Sequence, residues 1–276
     1  MNKARLSGPE ITADAAAGLM QPLTELVLRA GAAILAVNRA AMKVDGKPDG
    51  SPVTEADLAA DRIIGEGLAR LVPNLPALSE ERAELARLPY RNSFFLIDPL
   101  DGTKEFVAGR DEFTVNLALM TGGLPLLGIV AAPALGLIWR GIVGHGAERL
   151  TLGNGAPRVE PIRTRLCPPR GAPWTVAVSR SHGDARTEAF IAARPGAVRC
   201  ELGSAVKFGR VAEGCVDIYP RLSPTSEWDV AAGHAVVAAA GGRITDSSGA
   251  ALVFGVGRKD FIVPEFIAWG DPKAAF

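Results

Sequence analysis

The chain has 276 residues, with thirty basic and thirty acidic side chains and a formal net charge of zero. That balance gives no broad field to draw it to nucleic acid or an anionic membrane, so an anionic ligand must be handled by local groups. Three cysteines (Cys167, Cys200, Cys215) lack metal-ligand spacing and read as reduced thiols of a cytosolic protein. No apolar run reaches the roughly 18 residues of a membrane span, and the amino terminus has no long apolar signal region.

Leu19, Leu23, Leu26, Val27, Ala30, Ile34 and Val37 recur at helical spacing and predict an amphipathic helix over about 19–41. A loop with Gly46, Pro48, Asp49 and Gly50 follows. Ala56, Ala60, Ile63, Ile64, Leu68 and Leu71 then mark a second helix, with Thr54 as its N-cap and Pro73 as its stop. Beyond Pro73, short apolar runs at 94–97, 114–120, 124–131 and 137–143 read as strands, and Gly122-Gly123 suggests a hairpin. The stretch 151–173 is rich in Gly, Pro and Arg and is the expected boundary, giving domains over 1–155 and 156–276. Further on, strands are expected at 174–178, 198–202, 216–219 and 243–245, with helices at 184–193, 204–213 and 229–240. The fold class is α/β: an α+β first half and an α/β second half.

The chemistry concentrates in Asp98-Pro99-Leu100-Asp101-Gly102-Thr103, two carboxylates at the end of the apolar run 94–97. By itself the segment is also an ordinary turn sequence. Ser79-Glu80-Glu81 lies one element earlier, and Asp229 opens a helix in the second half, where it also reads as a plain N-cap. Glu80, Asp98, Asp101 and the Leu100 carbonyl are hard oxygen ligands of the type that suits Mg²⁺. N–H groups of Gly102 and Thr103 at a helix start can take a phosphate oxygen. Asp57, in the first turn of the second helix, is a candidate partner for the Thr103 hydroxyl, helping it orient and deprotonate a water. His234, in an Ala-rich helix, reads as a packed core histidine and His145 as loop.

Glu80-Glu81, the segment 98–103 and Trp228-Asp229-Val230-Ala231-Ala232-Gly233 resemble the lithium-sensitive, Mg²⁺-dependent phosphatases of the inositol monophosphatase superfamily, over roughly residues 20–250. Lys104-Glu105-Phe106, Glu112-Phe113-Thr114-Val115-Asn116, Ser51-Pro52-Val53-Thr54, Ser179-Arg180-Ser181-His182 and Tyr219-Pro220-Arg221 are similar to its bacterial 3'(2'),5'-bisphosphate nucleotidases.

The resemblance implies a layered αβαβα sandwich. It also implies one Mg²⁺ on Glu80, Asp98 and the Leu100 carbonyl and a second on Asp98, Asp101 and Asp229, a third and weaker ion being compatible. Asp57 and Thr103 would activate the attacking water, and Glu81 would stand behind the ligands. Ser204, Lys207, Arg221 and His182 match nucleotide-contacting positions, although Ala205 replaces a frequent serine and the chain beyond about 250 matches nothing usable. The implied reaction is hydrolysis of adenosine 3',5'-bisphosphate, or its sulfated precursor, in sulfate assimilation. Two alternatives stand beside it: a phosphatase for inositol, histidinol or another sugar-like monophosphate, and a non-catalytic binder of phosphorylated ligands. The expected partner is a small nucleotide, with no nucleic acid. The expected protein is a monomer or homodimer in the cytoplasm, free or peripheral at the inner membrane.

Overall fold

The computed structural model describes residues 9–46, 52–85, 92–181, 183–255 and 261–274. Helix α1 (Ala13–Ala36) starts earlier than its apolar periodicity suggests, because Thr12 caps it by accepting from Ala15 N and the alanines that follow favour a helix. It ends sooner, with Val37 already extended. By length and composition α1 could cross a membrane, against the expectation that no segment is long and apolar enough to do so. Here Leu23, Leu26, Val27, Ala30 and Ile34 are buried in the protein core.

Strands β1 (Val44–Gly46) and β2 (Pro52–Thr54) form a short antiparallel pair ahead of α2 (Glu55–Leu71). Next come β3 (Ala77–Ser79), a 3-10 turn (Glu80–Leu85), β4 (Phe94–Asp101) and the short helix α3 (Thr103–Val107). Then follow β5 (Thr114–Thr121), β6 (Leu124–Ala132), β7 (Leu137–Ile142), β8 (Gly146–Thr151) and β9 (Arg158–Ile162). These last five join β3 and β4 in a seven-stranded sheet in chain order, parallel between β3 and β4 and antiparallel elsewhere.

The second half contains β10 (Thr175–Ser179), α4 (Ala185–Ala192), β11 (Val198–Leu202), α5 (Val206–Ala212) and β12 (Ile218–Arg221). It continues with β13 (Thr225–Ser226), α6 (Glu227–Ala239), β14 (Arg243–Thr245), β15 (Ile262–Val263) and β16 (Phe266–Trp269). Its five-stranded sheet has the order β11-β10-β12-β16-β14, with β10 parallel to both neighbours and β16 antiparallel to both of its own. β13 and β15 form a separate antiparallel pair.

Side-chain alternation along the strands defines five layers. Phe95, Ile97, Leu117 and Leu119 face α1 and α2, while Phe94, Leu96, Ala118 and Met120 face α6. Both faces of β4 are therefore covered, and its residues from Phe94 to Leu100 are all buried. α5 and α6 fill the space between the sheets, and Phe190 and Ile191 of α4 cover the outer face of the second sheet through Val176, Val178 and Ile218. The order is α1/α2, seven strands, α5/α6, five strands, α4. The first sheet continues past residue 155, since β9 pairs with β8. One apolar cluster joins both halves, from Phe94 and Trp139 to Tyr219 and Phe266.

Candidate active site

The segment 98–103 is not a loop that follows a strand, as its sequence suggests. β4 continues through Asp101, and the register against β5 slips between Asp98, opposite Asn116, and Asp101, opposite Thr114. Pro99 has no N–H to give a regular ladder, so this irregularity is where the sheet tolerates it. The Leu100 N–H turns inward and donates to Asp98 Oδ1 at 3.0 Å. Gly102 then takes φ of 89°, and a Cβ there would stand 3.2 Å from Ser204 Cβ. Glycine thus serves both the left-handed turn into α3 and the close approach of the second half.

Three elements bring acids to this point. β3 runs parallel beside β4, so Glu80, the residue after β3, lies next to Asp98. Asp229 comes from the first turn of α6, where it forms a capping box with the N-cap Ser226. It accepts from Ser226 N at 3.3 Å and from the Thr225 hydroxyl. Carboxylate oxygens of Glu80, Asp98 and Asp229 all lie within 4.8 Å of one another. Asp101 accepts from Thr114 Oγ1 and Asn116 Nδ2, both at 3.4 Å. Glu81 follows Glu80 in the same turn and is half-buried.

The electrostatics of the cluster are unfavourable for bare carboxylates. Burial, then repulsion from Glu80, Asp101 and Asp229, hold Asp98 well above the usual carboxylate range. Burial and the charge of Asp229 push Asp101 up to about 6, against the pull of Lys207. An all-oxygen set with crowded negative charge fits hard divalent cations, which would restore the ionised forms.

Asp57 is buried in the first turn of α2 and is shared between two tasks. Its Oδ2 accepts from Thr54 N at 2.8 Å and Thr54 Oγ1 at 2.6 Å, completing a capping box. Its Oδ1 accepts from Thr103 Oγ1 at 3.1 Å, and that hydroxyl also lies 3.2 Å from the Leu100 carbonyl. Burial raises the Asp57 pKa, opposed by the bonds from Thr54 and Thr103.

The acids open onto a cleft of about 230 Å³ lined from both halves of the chain. Ser204 sits on its wall with φ of 42°, unusual for a residue with a side chain, and its Oγ is 3.2 Å from Thr114 Oγ1. Lys207 is buried, donates to the Leu202 carbonyl at 3.3 Å and lies over the Tyr219 ring. Burial brings it down to about 8, with Asp101 pulling the other way. Arg221 Nη2 donates to the Pro224 carbonyl at 3.2 Å, while its Nε is buried with no hydrogen-bond partner among the described residues. His182 lies outside the described residues. Its neighbour Ser181 donates to Glu105.

Sequence reasoning gave no role to Glu112, Thr114, Asn116, Tyr219 or Thr225. Glu112 accepts from Gly203 N at 2.8 Å and pairs with Arg180, tying the β5 side of the cleft to the Ser204 segment. Partial burial alone would raise its pKa, but the Arg180 and Gly203 bonds hold it below the usual value. For Thr225 the available signal was its position four residues before Asp229, within reach of a first-turn acid. The other contacts join distant segments and have no local signature.

The inositol monophosphatase family model matches residues 17–271. The 3'(2'),5'-bisphosphate nucleotidase CysQ of Escherichia coli O157:H7 is 38% identical over 251 residues, covering 90% of this chain and 98% of its own length. The CysQ of Buchnera aphidicola is 33% identical over 260 residues, covering 91% and 93%. Among solved structures, CysQ from Bacteroides thetaiotaomicron superposes with a TM-score of 0.73 at 29% identity, covering 92% of this chain and 97% of that one. Fold, sequence and the converging acids agree: this chain belongs to the inositol monophosphatase family.

Proposed function

We propose that the protein is a Mg²⁺-dependent 3'(2'),5'-bisphosphate nucleotidase, hydrolysing adenosine 3',5'-bisphosphate to AMP and phosphate in the cytoplasm. The observation that carries this reading is the convergence of Glu80, Asp98 and Asp229 beside the Thr103–Asp57 hydrogen bond. The similarity to the CysQ nucleotidases over most of the chain supports the substrate.

Glu80, Asp98 and the Leu100 carbonyl would hold one ion, and Asp98, Asp101 and Asp229 a second. Bound there, divalent cations supply Lewis-acid activation of water and neutralise charge on the phosphoryl group and the leaving oxygen. The Thr103 hydroxyl donates a hydrogen bond to Asp57 and keeps its proton, which leaves the lone pairs of Oγ1 to accept a hydrogen bond from the attacking water and orient it in line. Amides of Gly102 and Thr103, at the start of α3, are assigned to the phosphoryl oxygens. The positive charges of Lys207 and Arg221, with Ser204 and His182, are assigned to the nucleotide and its second phosphate. Preorganised positioning and electrostatics would supply most of the rate. Packing of α1 into the core covers its apolar face and counts against a membrane-spanning role for this helix.

The test is phosphate release from adenosine 3',5'-bisphosphate and from inositol 1-phosphate at equal MgCl₂, each repeated with EDTA. The proposal expects a higher kcat/KM for the nucleotide and loss of both activities in EDTA. A clear preference for inositol phosphate would overturn the substrate, and full activity in EDTA would overturn the metal site.

A further inference from the structure

One face of α2 carries Asp57, Asp61 and Gly65 at successive four-residue steps, which stack on a helix. Asp57 holds Thr103. One turn further on, Asp61 Oδ1 accepts from Ser79 Oγ at 2.6 Å and from Arg82 Nη2 at 3.0 Å, and its Oδ2 lies 3.0 Å from Arg82 Nε. One turn beyond that, a Cβ on Gly65 would stand 2.9 Å from Arg82 Nη2 and 3.3 Å from Nη1. The missing side chain at Gly65 is therefore the space in which the guanidinium lies.

Ser79 and Arg82 bracket Glu80 and Glu81. Ser79 is fully buried and paired opposite Ile97 of β4, while Arg82 breaks the 3-10 turn with φ of −134° and ψ of 20°. A carboxylate presented from so short a turn is aimed only if both ends of the turn are fixed. The sheet fixes one end, and the Arg82 Nη2–Asp61 Oδ1 hydrogen bond, with the ion-pair contact of Nε to Oδ2, fixes the other. The pair is partly open to solvent, with 41% of the Arg82 side chain exposed, so its contribution to global stability is small. Its consequence is orientation.

We propose that Asp61, Arg82 and the side-chain-free Gly65 are positioning residues that set the geometry of Glu80 toward its divalent cation, an inference that rests on reading Glu80 as a ligand. Mg²⁺ demands near-ideal octahedral geometry, so a misaimed carboxylate costs affinity. The same helix then holds Asp57 against Thr103 and the Glu80 turn in register, one helical turn apart.

The test titrates MgCl₂ into the full-length protein and follows tryptophan fluorescence, since Trp228 lines the cleft beside Asp229. Asp61→Ala, Arg82→Ala and Gly65→Ala are each expected to raise the half-saturating MgCl₂ concentration about tenfold or more. Arg82→Lys should recover part of that loss. At saturating MgCl₂, kcat should return to near the wild-type value, because the ligand set itself is intact. Gly65→Ala is the discriminating variant, because alanine is the better helix former and should keep the metal-free melting temperature at or above wild type. A merely structural role would leave its Mg²⁺ affinity unchanged. Glu80→Gln separates the two levels. If it weakens Mg²⁺ binding while folded Gly65→Ala and Arg82→Ala bind like wild type, the positioning role is overturned alone. If Glu80→Gln itself binds Mg²⁺ like wild type, the ligand reading fails and this inference fails with it.

Discussion

The Thr103 hydroxyl donates a hydrogen bond to Asp57 Oδ1 at 3.1 Å, joining the start of α3 to the first turn of α2. The other oxygen of the same carboxylate caps α2 through Thr54. One side chain therefore serves helix stability and the proposed chemistry together, and substitutions can separate the two.

Thr103→Ala should lower kcat by about 10²–10⁴ with little change in melting temperature, because it removes only the orienting hydroxyl. Asp57→Ala should lose similar activity and also about 1 kcal/mol of stability, through the lost capping box. Thr103→Ser should retain most of the rate. Steady-state kinetics beside thermal melts of the three variants check this; an active Thr103→Ala would remove the hydroxyl from the mechanism.

Asp98→Asn should abolish turnover while making the metal-free protein more stable at pH 8. The substitution deletes a charge that burial and then Glu80, Asp101 and Asp229 oppose. It should also erase the rise in melting temperature that MgCl₂ gives the wild type. Melting curves with and without MgCl₂ report both effects, and an Mg²⁺-stabilised, active Asp98→Asn would contradict the ligand assignment.

The pH dependence of the metal-free protein has a defined sign. Asp101 is raised to about 6 and Asp98 is held well above its ordinary value, so the folded state binds more protons than the unfolded state from about pH 4 upward. Their stability contribution is full below the unfolded pKa and is lost as pH rises through the folded values. Lys207, lowered to about 8 chiefly by burial, acts in a different window: its cost is felt below about pH 8 and fades as pH rises toward its ordinary value. Metal-free stability should therefore fall as pH rises from about 4 through 6, and MgCl₂ should stabilise more at pH 8 than at pH 5. Melts at both pH values with and without MgCl₂ measure this. Equal Mg²⁺ effects would contradict proton release on ion binding.

What the sequence reveals of the site depends on the range of each contact. Asp57 is legible as a first-turn acid behind the N-cap Thr54, whereas Asp229, which reads from sequence as an N-cap itself, stands at the third helical position because Ser226 takes the cap. Glu80 and Asp98 are legible as motif acids, and strand periodicity supplies β5, β6 and β7 nearly to their ends. Pro99 misleads, since a proline between acids reads as a turn, whereas here it occupies an irregularity inside a buried strand. The Glu112 contact with Gly203 and the Asp61 contact with Arg82 are not legible, because they arise from layers packing together. Lysine on a helix is exposed by default, yet Lys207 is buried against Tyr219 under the cleft.

Substrate preference should respond to the cationic wall. Lys207→Ala or Arg221→Ala should raise KM for adenosine 3',5'-bisphosphate by about tenfold, with a much smaller effect on a simple phosphate ester lacking the second phosphate. Parallel kinetics on the two substrates decide it, and equal losses on both would place these residues outside a nucleotide pocket.

The most direct measurement is an anomalous-scattering crystal structure of the protein grown with Mn²⁺, standing in for Mg²⁺, and AMP. Anomalous peaks in contact with the carboxylates of Glu80, Asp98 and Asp229, with a water held at Thr103 Oγ1, are the expected result. A fully folded protein with AMP bound in the cleft and no metal peak at those carboxylates would contradict it.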